Sequence, residues 1–202
     1  HYSKKIELHY RMFKLAVESP EAVYVSFPFS LEGGEFAYEA QGGLVNPGKN
    51  QLEGSSSDWN AIQNFAAVRN PSAQIIFVSK EAPLVQFGDI NTGRYYYRLK
   101  PKTNHIYSWV LNNYWVTNFK ASQKGELNWS YTITSSDDIS NSYATHFGKE
   151  ERTPMPTRIL LPSSKSKGKQ SQSRSLLTLD ATNLFLVNTS LSIDGKGIIL
   201  HL

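Results

Sequence analysis

Two pairs of adjacent carboxylates, Asp137-Asp138 and Glu150-Glu151, are the first residues of this chain to weigh for chemistry. A retaining glycosidase needs two carboxyl groups about 5 Å apart across the glycosidic oxygen, one as nucleophile and one as general acid. Adjacent residues do not by themselves provide that arrangement. Asp137-Asp138 is typical of the acidic start of a helix, where the dipole favours negative charge, and Glu150-Glu151 of a solvated face. We therefore assign no catalytic residue to this chain.

The histidines offer no metal-binding motif, because all five are isolated in the sequence: His1, His9, His105, His146 and His201. Zinc is held by His, Cys or Asp side chains that converge on one point, often from short, regular spacings. The chain also has no cysteine, which removes thiolate ligands and disulfides. We predict no metal site built by this chain alone.

Asparagines lie among aromatic residues in a single stretch, which suggests two different roles. Asn112, Asn113 and Trp115 are its central members, and Trp109, Tyr114, Asn118 and Phe119 flank them. Carboxamides in aromatic surroundings need hydrogen-bond partners, so one interpretation is that they tie loops to a sheet. The other is a sugar site, with a ring covering the apolar face of a pyranose while amides hold its hydroxyls.

Polar side chains also occur in two predicted loops. Asp89, Asn91 and Arg94 lie where Gly88 and Gly93 allow tight turns, and this loop is our first choice for substrate proximity. The second choice is Asp58 with Trp59, which follow a glycine-rich stretch. The structural alternative stays open for both loops, because Asp and Asn are also ordinary turn residues.

Several longer segments resemble one known family. The segments are SPEAVYVSFPF (19–29), DWNAIQNFAAVRN (58–70), APLVQFGDINTG (82–93), IYSWVLNNYWVTNFK (106–120), FGKEERTPMPTRILLP (147–162) and DGKGIILHL (194–202). Together they resemble the C-terminal β-rich region of glycoside hydrolase family 38, the α-mannosidases, and they span nearly the whole chain. The resemblance implies an all-β fold, a large antiparallel β-sandwich of the galactose-mutarotase-like super-sandwich kind with one short helix.

The resemblance also implies what this chain does. In that family a separate barrel carries the zinc ion and the aspartate nucleophile, so neither is transferred to any position here. Because the sequence opens and stops within strand-like patterns, we expect an excised single domain, residues 1–202, of a larger enzyme. Its expected partners are a mannoside and the parent's own catalytic barrel, which it supports and whose substrate pocket it helps to shape. Two alternatives stay open: a stand-alone carbohydrate-binding module, and a structural or assembly role.

Composition narrows the classes of partner. The formal charge is +4, but Lys165, Lys167, Lys169 and Arg174 supply four positive charges, and the rest of the chain has 17 basic and 17 acidic residues. We therefore predict no nucleic-acid partner, since no basic stripe follows the strands. No apolar run is long enough to span a bilayer, so we expect no membrane partner. The compartment stays open; for a bacterial protein, the periplasm or the exterior is compatible with the lack of cysteine.

Alternating apolar and polar residues predict the strands that position these side chains. The alternation is clearest at 6–12, 23–29 and 127–133, as expected for half-buried strands. Gly33-Gly34 predicts a turn, and the glycine-rich segment 42–58 a long loop. The further predicted strands are 35–41, 60–69, 73–79, 84–87, 95–99, 176–179, 184–188 and 197–202.

One helix is predicted after the strand at 127–133. Ser135 and Asp138 fit a capping box, Ile139, Tyr143 and Phe147 recur at four-residue spacing, and Pro154 ends the helix at the latest. The segment 163–175 is rich in Ser, Lys and Gln, which predicts a flexible, solvated loop.

Overall fold

The structure is a computed structural model that describes residues 4–56, 58–113, 122–153, 156–158, 175–181 and 184–202. The chain divides into two compact units, His1–Thr153 and Pro154–Leu202. The strands of the first unit are β1 (Ile6–Lys14), β2 (Ala22–Phe27), β3 (Glu35–Ala40), β4 (Gly43–Val45), β5 (Asn60–Ala61), β6 (Ala66–Arg69), β7 (Gln74–Ser79), β8 (Leu84–Phe87), β9 (Ile106–Asn112) and β10 (Gly125–Ser136). Its helix is α1 (Asn141–Arg152), and the second unit contains β11 (Asn188–Leu191) and β12 (Ile198–His201).

The first unit contains two antiparallel sheets. One has six strands in the order β1-β10-β7-β6-β3-β4, and the other has four in the order β2-β9-β8-β5. Rings from both sheets meet between them: Phe27 of β2 lies 4.7 Å from Phe77 of β7 and 4.8 Å from Tyr131 of β10, measured between ring centroids. The predicted all-β sandwich with one short helix is confirmed.

The core lies between the two sheets, because alternate side chains of each strand point to the inner face of its sheet. Strand β1 pairs with β10 so that Tyr10 is opposite Trp129, and the two rings stack at 5.4 Å. Burial of such apolar side chains is the main stabilising contribution to the fold. The buried core residues from the two sheets are Phe27, Phe36, Tyr38, Ala66, Val68, Phe77, Val85, Phe87, Ile106, Trp129 and Tyr131.

Helix α1 covers the opposite face of the six-stranded sheet. Ala144 is buried with Phe65, Ala67, Ile76 and Val78 in a second apolar cluster. Gly148 allows a close approach here, because a Cβ at that position would lie 3.0 Å from the Phe65 side chain.

The helix begins later than the sequence predicts. Ser140 is the N-cap, and its Oγ accepts a hydrogen bond from the Tyr143 N–H at 3.1 Å. The predicted capping box at Ser135 is wrong, because β10 continues to Ser136 and Ser135 pairs with Ile75 of β7. The acidic pair 137–138 therefore precedes the helix instead of starting it. Asp138 Oδ1 accepts from the Ser140 N–H at 2.9 Å, and hydrogen bonds from Ser140 lower the pKa of that carboxyl.

Two predicted strands of the first unit differ from the structure. The segment 60–69 forms two strands instead of one, since β5 belongs to the four-stranded sheet and β6 to the six-stranded sheet. The chain crosses between the sheets there, and Ile62 and Phe65 are buried along the way. The segment 95–99 is not a strand, and Tyr95 and Tyr97 are exposed. The loop predicted at 42–58 contains the short strand β4.

The described part of the second unit contains an antiparallel hairpin, in which Leu191 pairs with Ile198. Asp194 Oδ1 accepts from Ser192 Oγ at 2.5 Å and from the Lys196 N–H at 3.1 Å, and these bonds lower the pKa of the Asp194 carboxyl. The strand predicted at 197–202 is present as β12, whereas 176–179 forms none and the one predicted at 184–188 begins only at Asn188. Of the predicted flexible loop 163–175, all but Ser175 lies outside the described residues.

Candidate functional site

An aromatic layer covers the outer face of the four-stranded sheet. Tyr24 of β2 and Trp109 of β9 are neighbours across the strands, and their rings stack at a centroid distance of 5.8 Å. Trp59 lies against Trp109 at 5.4 Å, with its ring tilted by 56°. Trp109 is buried, whereas Trp59 is half-buried and retains access to solvent. The sheet therefore presents Trp59 at the surface on a base of two other rings.

Gln86 of β8 joins the two loops that contain the predicted site residues. Its side chain is fully buried. The Nε2 group donates to the backbone carbonyl of Asp58 and to Thr92 Oγ1, the latter at 2.7 Å, and Oε1 accepts from the Asn91 N–H at 3.0 Å. One amide therefore fixes both loops to the sheet and to each other.

Tyr24 extends this network from β8 to a second strand, β2. Its hydroxyl lies 2.9 Å from Thr92 Oγ1, and either atom can be the donor. Burial raises the pKa of the Tyr24 phenol, so the hydroxyl keeps its proton across the neutral range. The loop at 88–94 is thus held from both β2 and β8.

The first-choice and second-choice residues of the sequence analysis come together here. The Gly93 N–H lies 3.5 Å from Asp58 Oδ2. Asp89 and Arg94 are exposed and form an ion pair at 3.0 Å. Asn91 is buried, and its Nδ2 donates towards the Phe87 carbonyl at 3.5 Å, as the structural alternative for this residue requires.

The asparagine cluster occupies a different place, at the end of β9. Asn113 is buried, and its Nδ2 donates to the Val17 carbonyl at 2.9 Å and to Glu21 Oε1 at 3.1 Å. These bonds tie the β1–β2 connection to the sheet, in agreement with the structural interpretation. Asn112 is half-buried and opposite Ala22 of β2. Trp115 lies outside the described residues, as do Tyr114, Asn118 and Phe119.

A surface depression of about 670 Å³ lies beside Trp59, and we call it the Trp59 depression. Tyr38, Gln51 and Asn60 are among its lining residues. Asn60 Oδ1 accepts from Gln51 Nε2 at 2.7 Å and from the Tyr38 hydroxyl at 3.1 Å, while Asn60 Nδ2 has no partner among the described residues. Burial also raises the pKa of the Tyr38 phenol, which keeps this donor protonated.

A second cavity, of about 640 Å³, has all its lining residues between Phe87 and Tyr107, and we call it the basic groove. It contains the first-choice residues Asp89, Asn91 and Arg94. Sequence reasoning missed other polar and aromatic residues that line it, among them Tyr96, Arg98, Lys100, Lys102, Thr103, His105 and Tyr107. A signal was present, since the segment 89–105 has four Lys and Arg residues and one acidic residue.

The described residues contain no group of three or more His, Cys, Asp or Glu side chains placed to hold a metal ion. In the part of the chain that the structure describes, no helix has the length and hydropathy needed to cross a bilayer.

No protein-family model matches this chain, and no curated protein matches it.

Proposed function

We propose that this chain is a non-catalytic β domain of an α-mannosidase-like glycoside hydrolase, which supports the catalytic barrel and contributes to the wall of the mannoside pocket. One observation carries the proposal. Segments 58–70 and 82–93, both part of the family resemblance, are joined through Gln86, and they present Trp59 and Asp89 on one side of the sandwich.

The chemistry of the Trp59 depression supports a sugar as the ligand. An accessible indole covers the apolar face of a pyranose, and amide groups pair with its hydroxyls. Gln51 and Gln63 provide such amides around this depression. The contact of Trp59 with Trp109 holds the indole in place before any ligand arrives, which lowers the entropy cost of binding.

Bond cleavage belongs to the barrel in this proposal. The resembled family places its zinc ion and its aspartate nucleophile there, and this chain supplies no step of the reaction. Its contribution is positional: a sandwich with a packed core holds the two loops rigidly, and small errors in substrate position are costly for catalysis.

The test of this function is hydrolysis of an aryl α-mannoside in the presence of zinc. The chain alone is compared with the same chain joined to the upstream part of its parent protein. We expect activity only in the joined protein. Activity of the chain alone would contradict a non-catalytic role, and a silent joined protein would remove the mannosidase assignment.

The second candidate function, a stand-alone carbohydrate-binding module, is favoured by the solvent-accessible Trp59 at the edge of the Trp59 depression. Titration with methyl α-mannoside, followed by tryptophan fluorescence, tests it. We expect saturable binding in the millimolar range that Trp59→Ala abolishes and Trp59→Phe retains, because only the aromatic face is needed. No saturable signal at millimolar sugar would exclude this candidate.

A further inference from the structure

We propose that the basic groove binds an anionic sugar unit, a pyranose that carries a carboxylate or a phosphate. This inference rests on the proposed function, because it takes the ligand to be a carbohydrate. It goes further in assigning a negatively charged substituent to a defined cavity, separate from the Trp59 depression.

The balance of charges in the groove points to an anion. Arg94 is neutralised by Asp89 at 3.0 Å, and Arg98 by its ion pair with Glu53. Lys100 and Lys102 also line the groove, and within the described residues neither has a carboxylate partner. Two ammonium groups are thus left uncompensated on one cavity, and lysine is a common partner of phosphate and carboxylate groups.

The size and the rings of the groove point to a sugar and not to a bare ion. A volume of about 640 Å³ lies within the range of small-molecule sites, roughly 300–1,000 Å³. The Tyr96 side chain is 38% exposed at the groove, where its ring can cover a pyranose. Tyr107 offers a second ring, and its hydroxyl lies 3.2 Å from His105 Nδ1.

The backbone of the groove is braced before a ligand arrives. The Gly88 N–H donates to the His105 carbonyl at 2.8 Å, and Thr103 Oγ1 donates to the Gly88 carbonyl at 2.7 Å. Leu99 is buried beneath the segment that carries the lysines. Preorganisation of this kind favours binding because less conformational entropy is lost.

Calorimetric titration of the full chain with four probes tests the inference: mannose, mannuronate, mannose 6-phosphate and inorganic phosphate. At low salt we expect both anionic sugars to bind about tenfold more tightly than mannose, since two lysines add Coulomb attraction. This preference should weaken as ionic strength rises. Equal affinity for mannose and the acids would overturn the inference and leave the proposed function standing. Inorganic phosphate binding as tightly as mannose 6-phosphate would reduce the groove to a bare ion site.

Matched variants separate the groove from the net charge of the chain. Lys100→Gln with Lys102→Gln removes two positive charges from the groove, and Lys4→Gln with Lys124→Gln removes two from exposed positions elsewhere. We expect the first pair to abolish the preference for anionic sugars and the second to leave it within about twofold. Equal losses in both would contradict a local site. Trp59→Ala tests sugar binding at the Trp59 depression separately, and it should not change the preference.

Discussion

Tyr131 is a buried polar residue that connects the two sheets of the sandwich. Its hydroxyl, on β10, donates to Ser108 Oγ on β9 at 2.9 Å, and neither residue is exposed. Burial raises the pKa of Tyr131 to about 12. The free energy of unfolding should therefore depend on the protonation of this one side chain at alkaline pH.

Replacing this phenol tests that coupling. At pH 9, Tyr131→Phe should lower the free energy of unfolding by about 1 kcal/mol, the typical value of a hydrogen bond. Because the folded pKa is raised, the phenol stabilises the fold fully below pH 10 and loses that contribution as pH rises towards 12. The wild-type advantage should therefore shrink or reverse at pH 11.5, as measured by urea unfolding.

Tyr97, an exposed tyrosine, provides the control for this experiment. Tyr97→Phe should leave the unfolding free energy within about 0.5 kcal/mol at pH 9. Tyr24 and Tyr38 also have raised pKa values, but they are present in all these proteins and cancel in the comparison. A Tyr131→Phe effect that stays constant from pH 9 to 11.5 would contradict the assigned protonation.

Gln86 holds the candidate site together, and its removal has a local signature. In Gln86→Leu, the Asp58 carbonyl and the Asn91 N–H lose their bonds to this side chain, and buried groups left unpaired cost about 1–3 kcal/mol each. We expect lower stability in urea and faster hydrogen exchange in loops 58–59 and 88–94. The control Gln123→Leu changes an exposed glutamine and should alter neither the stability nor the hydrogen exchange of these loops. Unchanged hydrogen exchange in Gln86→Leu would mean that other contacts hold the loops.

At the scale of elements, signals at the start of α1 and at the end of β8 set the bounds of these elements. Ser140 caps α1, and Gly88 follows β8 with φ of +83° in close contact with Pro101. Each residue can be tested against a control of the same type: Ser135, which does not cap a helix, and Gly33, where an added Cβ would meet no neighbour.

Ser140→Ala should destabilise the protein by about 1 kcal/mol, because the N-cap oxygen satisfies a free N–H at the helix start. Ser135→Ala, in β10, should change stability by less than about 0.5 kcal/mol. Thermal unfolding followed by circular dichroism measures both. The reverse order would place the helix start at the capping box that the sequence suggests.

Gly88→Ala should be more harmful than Gly33→Ala. Both residues have positive φ, so both substitutions carry a backbone cost of roughly 1–2 kcal/mol. At Gly88 the new Cβ would also lie 2.8 Å from Pro101 Cβ, whereas at Gly33 no atom lies within 4 Å. We expect Gly88→Ala to lose a further 1–3 kcal/mol or so in urea unfolding and to weaken anionic-sugar binding. Equal losses would mean that Pro101 moves aside freely.

At the scale of the whole molecule, the two described core clusters both consist of residues of the first unit. Helix α1 completes the smaller cluster over β6 and β7. The first unit therefore has the buried apolar surface that an independent fold requires.

A fragment that ends at Thr153 should unfold cooperatively in urea and keep its near-ultraviolet circular dichroism. A shorter fragment that ends at Ser136 lacks α1 and exposes Ile76 and Val78, so its unfolding midpoint should be lower. Non-cooperative unfolding of the longer fragment would show that residues after Thr153 are needed for the sandwich.

The fold class and many strands are predictable from the sequence because alternation is a local property. Burial alternates along β1 and along the first part of β10, as the alternation in their sequences predicts. Strands β7 and β8 agree with the predicted segments to within one residue. The break in 60–69 was not predictable, because an apolar run does not reveal that its two halves join different sheets. The helix start was missed for a related reason: Ser135 has the residue type of a cap, and only its pairing with Ile75 makes it part of a strand.

For the candidate site too, some features were predictable from the sequence and others were decided by the tertiary structure. Residue types alone identified Asp58, Trp59, Asp89 and Arg94 as polar or aromatic loop residues, since loops tolerate them wherever they occur. Tertiary structure decided that the two loops meet, through the buried amide of Gln86, and that Asn91 and Asn113 use their amides internally. It also decided which charges of the basic groove are paired. Hydrogen bonds and ion pairs between residues distant in sequence depend on the completed sheets, and no local pattern encodes them.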